Sequence, residues 1–575
     1  MKLLAVSEKT EESKGMVADL YLEITQGTGR IFIDTFPLTK IDTQISTRHA
    51  NRMACNFLEI DCSSYNFIYT IRSNSVIIGG PSAGGALTVL TMAALTNQNF
   101  NEEVAMTGTI NSGGLIGTVG GLKEKITAAS ENGIKKVLIP QGERFNFKII
   151  NQNNTNETLN ETIDLYEFGK EKGIEVKEVA IIEDAYFEFT NIDLSKDYGE
   201  IEVSKEYSNI MKDVSNDLCL RTQDLKIQIQ ITNSSLYIQA DNFSNKAIIS
   251  DGKKEYYTKA SYCFGANLKL SNQILIEEDP NNDELQKKIH EIQNKILSYD
   301  KELNDYQINT IPMLQTYEIV KERLIEAQDY LKESVQDIED NNTKNALYHL
   351  SYGIERYNSA IAWSNFFKLP GKELDLDKET LRDSCVQKIS EAEERFQYVQ
   401  FYLPYKLKNT RDQINKAYTD LNNEDYELCL FKALKAKAES NVILGAINFN
   451  DDNYENYLAT KMNIVKNQIA KQQQKGQFPI LGYSYFEYAN SLKTGDKYSS
   501  LLYLEYALEL SNLDLYFNNK NNDINFRYFN FNYTFLTLIL MFFIGTIFGY
   551  FSRSLLIKKS SKRKGIHIKI RKKKF

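Results

Sequence analysis

One serine of the chain lies in a glycine-rich turn that could expose a nucleophile. The segment GGPSAGGAL, Gly79–Leu87, places Ser82 between the apolar run SVII and an apolar helix that extends to about Leu95. This geometry exposes the hydroxyl and points the first unpaired amides of the helix at its surroundings. The backbone amides near Ser82 and Ala83 are therefore candidate donors to an oxyanion. Most serines in glycine-rich turns have no catalytic role, so the assignment requires a second group.

A serine nucleophile needs a base, and a lysine in a later helix is the best candidate. The run LKEKITAASE, residues 122–131, predicts a helix with an apolar face at three- and four-residue spacing: Leu122, Ile126 and Ala129. Lys125 falls within this face, whereas Lys123 points to solvent. Desolvation lowers the pKa of a lysine held among apolar groups, so Lys125 could act as a neutral base. The alternative is that its ammonium snorkels to the surface.

Histidine offers a weaker alternative base. Of the four histidines, only His49 lies in the first 190 residues, within a predicted helix over Ile45–Leu58. A lone helical histidine more often packs or faces solvent than catalyses. We therefore favour a Ser-Lys pair over a Ser-His pair.

Three motifs together suggest a family. They are GGPSAGG, then EEVAMTGTI (Glu102–Ile110), then GTVGGLKEKITAASENGIKKVLIP (Gly117–Pro140), and they closely resemble the proteolytic domain of Lon proteases in sequence, order and distance. Ser82 and Lys125, the second lysine of GLKEK, stand 43 residues apart, as the corresponding residues do in Lon. The likeness covers about residues 15–190, including the ending GIEVKEVAIIEDAYFEF.

The resemblance implies a serine peptidase with Ser82 as nucleophile and Lys125 as general base. Thr107, in AMTG, matches a Lon threonine near the lysine and is expected to orient it. Polypeptides are then the expected substrates, with no metal ion or cofactor at the site. Because Lon domains commonly form rings, the resemblance also implies a homo-oligomer.

The sequence departs from Lon in several respects. It contains no G-x-x-x-x-G-K-[ST] loop, has Gly79 where bacterial Lon is often acidic, and places the domain first rather than last. It thus looks like the archaeal membrane-associated, ATPase-less branch of these proteases, which usually begins with an export signal. Without a motor, unfolded segments, flexible loops or peptides are the plausible substrates. The alternative is an inactive, membrane-bound interaction scaffold built of helical repeats.

The secondary-structure pattern predicts an α+β protease domain over residues 1–192, followed by an all-α region and one C-terminal transmembrane helix. Strands are expected at Val17–Ile24, Arg30–Phe36, Val104–Ile110 and Lys136–Pro140 and within Asn66–Ile78. The later segments are predicted to be a helical segment (200–280), a long helical hairpin (281–340), a repeat-like helical array (341–525), a transmembrane helix (533–552) and a basic cytoplasmic tail (553–575).

Two sequence patterns predict that the region after the protease domain is all-α. A heptad-like series predicts an antiparallel hairpin with its return helix after Pro312: Leu285, Ile289, Ile292, Ile296, Tyr299, Leu303 and Tyr306. Repeat-like segments, each a polar turn and then a helix, begin near Ile338, Leu421 and Leu492, with a fainter one at Tyr256–Ala266. They suggest stacked helix hairpins in the manner of tetratricopeptide arrays, with a plain helical bundle as the alternative.

The membrane prediction depends on a 19-residue run without charge, Tyr533–Phe551, which is close to the length that spans a bilayer. Gly545 and Gly549 form a small-xxx-small pair within it. Ten Lys and Arg and no acid follow from Lys558 onward, so the formal net charge of −8 leaves −18 on the rest of the chain. A polyanionic body argues against nucleic acid as a partner.

The sequence is compatible with two orientations of the body relative to the membrane. The positive-inside rule places the basic tail in the cytoplasm and the body outside. The start, MKLLAVSEKT, has an apolar run of only about four residues, shorter than the roughly 7–15 of a secretory signal. Either the true start lies upstream or the protein is tail-anchored with a cytosolic body. An outside body would allow a disulfide Cys55–Cys62, and Cys385 and Cys429 could also pair.

Overall fold

The computed structural model describes residues 1–6, 14–151, 158–374, 376–403, 407–446 and 451–517. These residues belong to one structural unit, Met1–Asn518. The predicted transmembrane helix (533–552) and basic tail (553–575) lie outside the described residues. Of the helices in the described ranges, none is both long enough and apolar enough to cross a bilayer.

A seven-stranded mixed sheet forms the centre of the N-terminal part of the chain. Its strands, from one edge to the other, are β11 (Glu175–Val179), β8 (Lys136–Pro140), β5 (Val104–Met106), β1 (Lys2–Val6), β2 (Gly15–Gln26), β4 (Tyr65–Ile78) and β3 (Ile31–Thr39). β2 runs antiparallel to both of its neighbours, and the other adjacent strands are parallel. Two small antiparallel ribbons accompany the sheet: β6 (Thr109–Ile110) with β7 (Ile116–Gly117), and β9 (Phe145–Asn151) with β10 (Thr158–Asp164).

Helices cover both faces of this sheet. Successive residues of a strand point to opposite faces, and apolar residues occur on both of them. Leu3 of β1 packs in one core with α1 (Ile41–Leu58), α2 (Gly84–Leu95) and α5 (Ile182–Thr190). Its neighbour Leu4 packs in the other core with α3 (Leu122–Glu131) and α4 (Leu165–Glu171). The nucleophile candidate precedes α2 and the lysine lies in α3, so the two come from elements on opposite faces of the sheet.

The prediction of an N-terminal domain that combines strands and helices, followed by an almost wholly helical region, is confirmed. Three details differ from the expectation. β1 lies within the sheet although its short apolar run was not assigned as a strand, and α1 begins at Ile41 rather than Ile45. The expected single strand Val104–Ile110 is interrupted after Met106, because the backbone of Gly108 bonds to Ser82 and Gly85 rather than to a strand of the sheet. The predicted domain boundaries stay predictions.

Beyond the sheet the described chain is almost entirely helical. The helices are α6 (Lys205–Gln228), α7 (Ser235–Gly252), α8 (Tyr256–Glu278), α9 (Asn282–Leu303), α10 (Ile311–Glu339), α11 (Thr343–Trp363), α12 (Lys378–Tyr402), α13 (Lys408–Asn422), α14 (Tyr426–Ala446), α15 (Asp451–Gln474), α16 (Ile480–Leu492) and α17 (Lys497–Leu510). The predicted heptad series lies on α9, where Leu285, Ile289, Ile296 and Leu303 are buried, whereas Tyr306 lies beyond the end of the helix and is exposed.

Each repeat-like segment contains the second helix of a packed pair. These pairs are α7 with α8, α10 with α11, α13 with α14, and α16 with α17. A short polar turn separates the two helices in each pair, as the sequence pattern indicated. The helix hairpin is therefore the repeated unit of this region.

All six cysteines are paired in three disulfides: Cys55–Cys62, Cys219–Cys263 and Cys385–Cys429. The first joins α1 to the short turn that follows it. The other two join α6 to α8 and α12 to α14. The sequence had suggested the first and third pairs as possibilities but not the second.

A ring of four buried charges joins α12, α14 and α17. Lys388 lies 3.1 Å from Glu391 and 3.0 Å from Glu509, and Lys437 lies 2.9 Å and 3.0 Å from the same two carboxylates. Burial alone would raise the pKa of Glu509, but the two lysines lower it to about 2. Glu391 also approaches Nδ1 of His49 on α1 at 3.4 Å, so the ring fixes α12 against the sheet-containing part of the chain.

We expect Lys437→Met to lower the free energy of unfolding by about 3–5 kcal/mol, because it leaves buried carboxylates short of a cation. Urea denaturation of the full chain measures the loss. Lys378→Met is the matched control, since Lys378 pairs with Glu424 at the exposed surface and should contribute less than about 1 kcal/mol. Equal effects of the two substitutions would contradict the assigned role of the ring.

Candidate active site

Ser82 lies in a short 3₁₀ turn, Pro81–Ala83, between β4 and α2. The preceding Gly80 has φ 100°, a conformation that residues with a side chain rarely adopt. Its N–H donates to Oδ2 of Asp42, in the first turn of α1, at 2.9 Å. This hydrogen bond fixes the start of the turn to α1. Ser82 itself is only half-buried.

Close backbone contacts fix this turn against the segment that follows β5. A Cβ at Gly85 would lie 2.5 Å from Cε of Met106, so glycine permits the close approach of α2. The Gly85 N–H donates to the Gly108 carbonyl at 3.0 Å, and the Gly108 N–H donates to the Ser82 carbonyl at 2.9 Å. These bonds explain why the expected strand Val104–Ile110 breaks where it does.

The predicted helix over residues 122–131 and its two faces are confirmed. Gly121 at its N-terminus has φ 68°, and a Cβ there would meet Cγ2 of Val6 at 2.4 Å. Lys125 is only 3% exposed, whereas Lys123 is exposed, with Nζ 5.5 Å above the Phe168 ring. The alternative in which Lys125 snorkels to the surface is therefore wrong.

The amine of Lys125 is positioned by a buried threonine. Nζ of Lys125 donates to Oγ1 of Thr107 at 2.9 Å, and Thr107 is fully buried. The Thr107 hydroxyl in turn lies 3.5 Å from the Ser82 carbonyl oxygen, to which it donates. Because the hydroxyl proton is directed to Ser82, the threonine oxygen can only accept from the amine. The nitrogen lone pair of a neutral Lys125 is then left free.

Burial lowers the pKa of Lys125 to about 7, although the nearby carboxylates of Glu143 and Glu124 oppose the change. A lysine with its ordinary pKa is almost wholly protonated at neutral pH. At pH 7 about half of Lys125 is the free amine, which is the form that accepts a proton. Glu143, itself buried, had no signal in the sequence beyond its place after the strand KVLIP.

The structure brings Ser82, Thr107 and Lys125 to one place. Thr107 bridges the other two, and the described hydrogen bonds include none directly between the Ser82 hydroxyl and Lys125. The N–H groups of Ser82 and Ala83 are the first of their helical turn and have no carbonyl one turn earlier to bond. They are available to a developing oxyanion.

His49 is placed away from this arrangement. It is buried on α1 against Glu391 of α12, and burial lowers its pKa to about 4. Neither ring nitrogen of His49 has a hydrogen-bond partner among the described residues, so His49 is not bonded to Ser82. Asp42, which holds Gly80, was not anticipated from the sequence, because an acid in the first turn of a helix is a common pattern.

Residues 62–166 match the family model of the Lon protease (S16) C-terminal proteolytic domain. Among similar curated proteins, Lon protease of Buchnera aphidicola subsp. Acyrthosiphon pisum is 47% identical over 74 residues, which are 13% of this chain and 10% of that protein. Lon protease of Lachnoclostridium phytofermentans is 44% identical over 73 residues (13% and 9%). Lon protease of Vibrio parahaemolyticus is 46% identical over 74 residues (13% and 10%).

The matched segment contains Ser82, Thr107 and Lys125, and it supports a serine-type peptidase, as the motifs indicated. The chain spans only about a tenth of the length of these curated relatives. The similarity therefore concerns the peptidase domain alone.

We expect Lys125→Met to stabilise the fold at neutral pH by about 4 kcal/mol, because it removes a buried amine whose pKa is lowered to about 7 and each unit of that lowering costs about 1.4 kcal/mol. Between pH 7 and about pH 10 the unfolded lysine binds a proton that the folded one does not, so wild-type stability rises with pH across this window. The advantage of Lys125→Met should therefore be largest below pH 7 and shrink towards pH 10. Urea denaturation at several pH values measures it, with exposed Lys123→Met as the control. A pH-independent advantage would contradict the lowered pKa.

Proposed function

We propose that this chain is a serine endopeptidase in which Ser82 and Lys125 form the catalytic dyad. The observation that carries the proposal is the buried amine of Lys125, bound to Thr107 at 2.9 Å and with a pKa of about 7. A general base works best when its pKa lies near the working pH. The match of this segment to Lon proteolytic domains supports the same assignment.

In the proposed reaction, the neutral amine of Lys125 takes the proton of the Ser82 hydroxyl as Oγ attacks the carbonyl carbon of the substrate. The N–H groups of Ser82 and Ala83 stabilise the tetrahedral oxyanion. When the intermediate collapses, the Lys125 ammonium gives its proton to the leaving nitrogen. Because the ammonium is buried, it returns the proton readily. Water then attacks the acyl carbon while Lys125 takes its proton. When this second intermediate collapses, the acyl–Oγ bond breaks, the Lys125 ammonium returns the proton to Oγ of Ser82, and the carboxylic acid product leaves.

Thr107 acts as a positioning residue in this scheme. Its hydroxyl fixes the direction of the amine and takes no part in proton transfer, because its own proton is directed to the Ser82 carbonyl. Without it, the amine could rotate among several rotamers.

The proposed substrates are unfolded or flexible polypeptides, cleaved without ATP. The sequence contains no phosphate-binding loop with the Gly-Lys-Ser/Thr ending, so it carries no recognisable motor of its own. This organisation supports membership of the archaeal membrane-associated, ATPase-less branch of Lon-type proteases. A homo-oligomeric ring is proposed from the resemblance alone.

The dyad is tested by peptide cleavage without added nucleotide. Ser82→Ala and Lys125→Arg should each reduce kcat by at least about 10³-fold, because one removes the nucleophile and the other a group that can deprotonate. Lys123→Ala and His49→Ala should keep most of the activity. The wild-type rate should rise with pH through about 7 as Lys125 loses its proton. An active Ser82→Ala would contradict the assignment.

The inactive-scaffold alternative is separated by a fluorophosphonate label. Labelling of the wild type but not of Ser82→Ala would support a peptidase. If the wild type neither cleaves peptides nor reacts with the label, the scaffold is the better description.

We also propose that the protein is anchored in the cell membrane by residues 533–552, with a cytoplasmic tail and the body outside. The charge bias of the tail supports this orientation. Three disulfides that use every cysteine give independent support, because disulfides persist in oxidising compartments and are rare in the cytosol. The competing arrangement is a tail-anchored protein with a cytosolic body.

Protease added to intact cells should digest the body and leave only the anchored tail protected. Digestion is expected because, in this arrangement, the sheet and the helices lie outside the cell, where the protease can reach them. Survival of the body until the cells are lysed would support the tail-anchored arrangement. Alkylation of thiols before and after reduction provides a second reading, since an exported body should contain no free cysteine.

A further inference from the structure

Helix α12 lies across the turn that carries the nucleophile. It packs against Pro81–Ala83 and along α1. Residues at three- and four-residue spacing on one side of α12 approach the sheet-containing part of the chain: Glu391, Glu394, Arg395 and Tyr398. The helical region therefore forms one wall of the space next to Ser82.

The two ends of this wall are fixed by polar contacts. At one end, Glu391 belongs to the ring of buried charges and approaches His49. At the other, the hydroxyl of Tyr398 accepts from the Gly120 N–H at 3.1 Å, just before the lysine helix α3. These contacts hold α12 over the segments that flank the catalytic residues.

The two residues in the middle of the wall are incompletely satisfied. Glu394 is 5% exposed and Arg395 is 2% exposed. Arg395 donates through Nη2 to the Ile110 carbonyl at 3.3 Å, but its Nε has no hydrogen-bond partner among the described residues. Oε1 of Glu394 also has none, whereas its Oε2 lies 3.8 Å from Nη2 of Arg395. Leaving a buried polar atom of a charged group unpaired is costly, so such atoms usually have a partner that is absent.

The unpaired atoms are one donor and one acceptor, which is what a peptide group requires. We propose that Glu394 and Arg395 bind the substrate, holding the main-chain N–H and C=O groups of an extended polypeptide beside Ser82. This inference rests on the proposed peptidase function and names a binding site supplied by the helical region. Arg395 would donate from Nε to a carbonyl, and Glu394 would accept from an amide.

A cleft ends about one turn of α12 before this position, at Ser390 and Glu391. It has a volume of 370 Å³ and lies between α1 and α12. Its lining includes both charged and apolar side chains, among them Arg48, Arg52, Glu391, Ile41, Ile45 and Val386. Its Ile41 end belongs to the first turn of α1, where Asp42 holds Gly80 next to the nucleophile. The mixed apolar and polar lining suits an extended chain whose side chains vary.

The test measures binding separately from catalysis. A fluorescein-labelled, unstructured peptide is titrated with the full-length Ser82→Ala protein, and the fluorescence anisotropy gives Kd. Adding Arg395→Lys keeps the charge but removes Nε–H, and adding Glu394→Leu removes the acceptor. Each should raise Kd about tenfold. Glu394→Gln retains an acceptor oxygen and should remain close to the parent.

Arg382→Lys is the matched control, because Arg382 lies on the same helix but is exposed. Its Kd should not change. Urea denaturation of every variant checks that α12 remains docked. With Ser82 intact, Arg395→Lys should raise KM about tenfold and change kcat less, whereas a residue that only shapes the catalytic turn would lower kcat.

The outcomes separate this inference from the proposed function. Peptide binding that depends on Arg395 without any cleavage by the wild type would retain the binding site and reject the peptidase. Cleavage by the wild type with unchanged Kd in Arg395→Lys and Glu394→Leu would reject the binding site and retain the peptidase. Tighter binding in these variants would also overturn the inference, because α12 would then block access of the peptide to Ser82. So would the absence of measurable binding by the parent.

Discussion

The burial of one amine is the constraint on which this site depends. Lys125 is removed from water by the core between the sheet and α3, and that removal lowers its pKa to about 7. Burial alone would leave the amine free to turn in any direction. Thr107 fixes the direction of the amine. Its own position follows from the interruption of the strand after Met106, which the backbone hydrogen bonds among Ser82, Gly85 and Gly108 maintain. The chemistry is thus prepared by packing, before any substrate binds.

The helical region is joined to the sheet by buried polar contacts as well as by apolar packing. Two lysines and two glutamates on three helices neutralise one another in the interior, and Glu391 extends the group to α1. Such groups tolerate little displacement, because the loss of one partner leaves the others buried and unpaired. The arrangement fixes α12 in a definite position relative to Ser82, the proposed nucleophile, which a purely apolar interface would do less strictly.

Local patterns predicted the local features well. The helix over residues 122–131, the burial of Lys125 and the exposure of Lys123 follow from three- and four-residue spacing alone. The hairpins of the helical region were likewise visible as polar turns followed by apolar helices.

Features that depend on distant parts of the chain were not predicted. The disulfide Cys219–Cys263 joins helices that have no signal of adjacency in the sequence. Arg395 contacts Ile110 although 285 residues separate them, and its unpaired Nε has meaning only once that contact exists. The strand β1 was missed because five residues carry too weak a pattern, and only its two neighbours make it a strand.

Because α12 follows the sheet region along the chain, its contact with the turn Pro81–Ala83 can form only late in synthesis. A ribosome completes the sheet and the side chains of the proposed dyad well before it reaches α12. At about 5–20 residues per second, the 223 residues from the end of β11 at Val179 to the end of α12 at Tyr402 take roughly 11–45 s. During that interval the nascent sheet region lacks the wall that α12 provides beside Ser82. A peptidase arranged in this way would acquire its complete cleft only late in synthesis, so the growing chain itself is exposed to an unfinished enzyme.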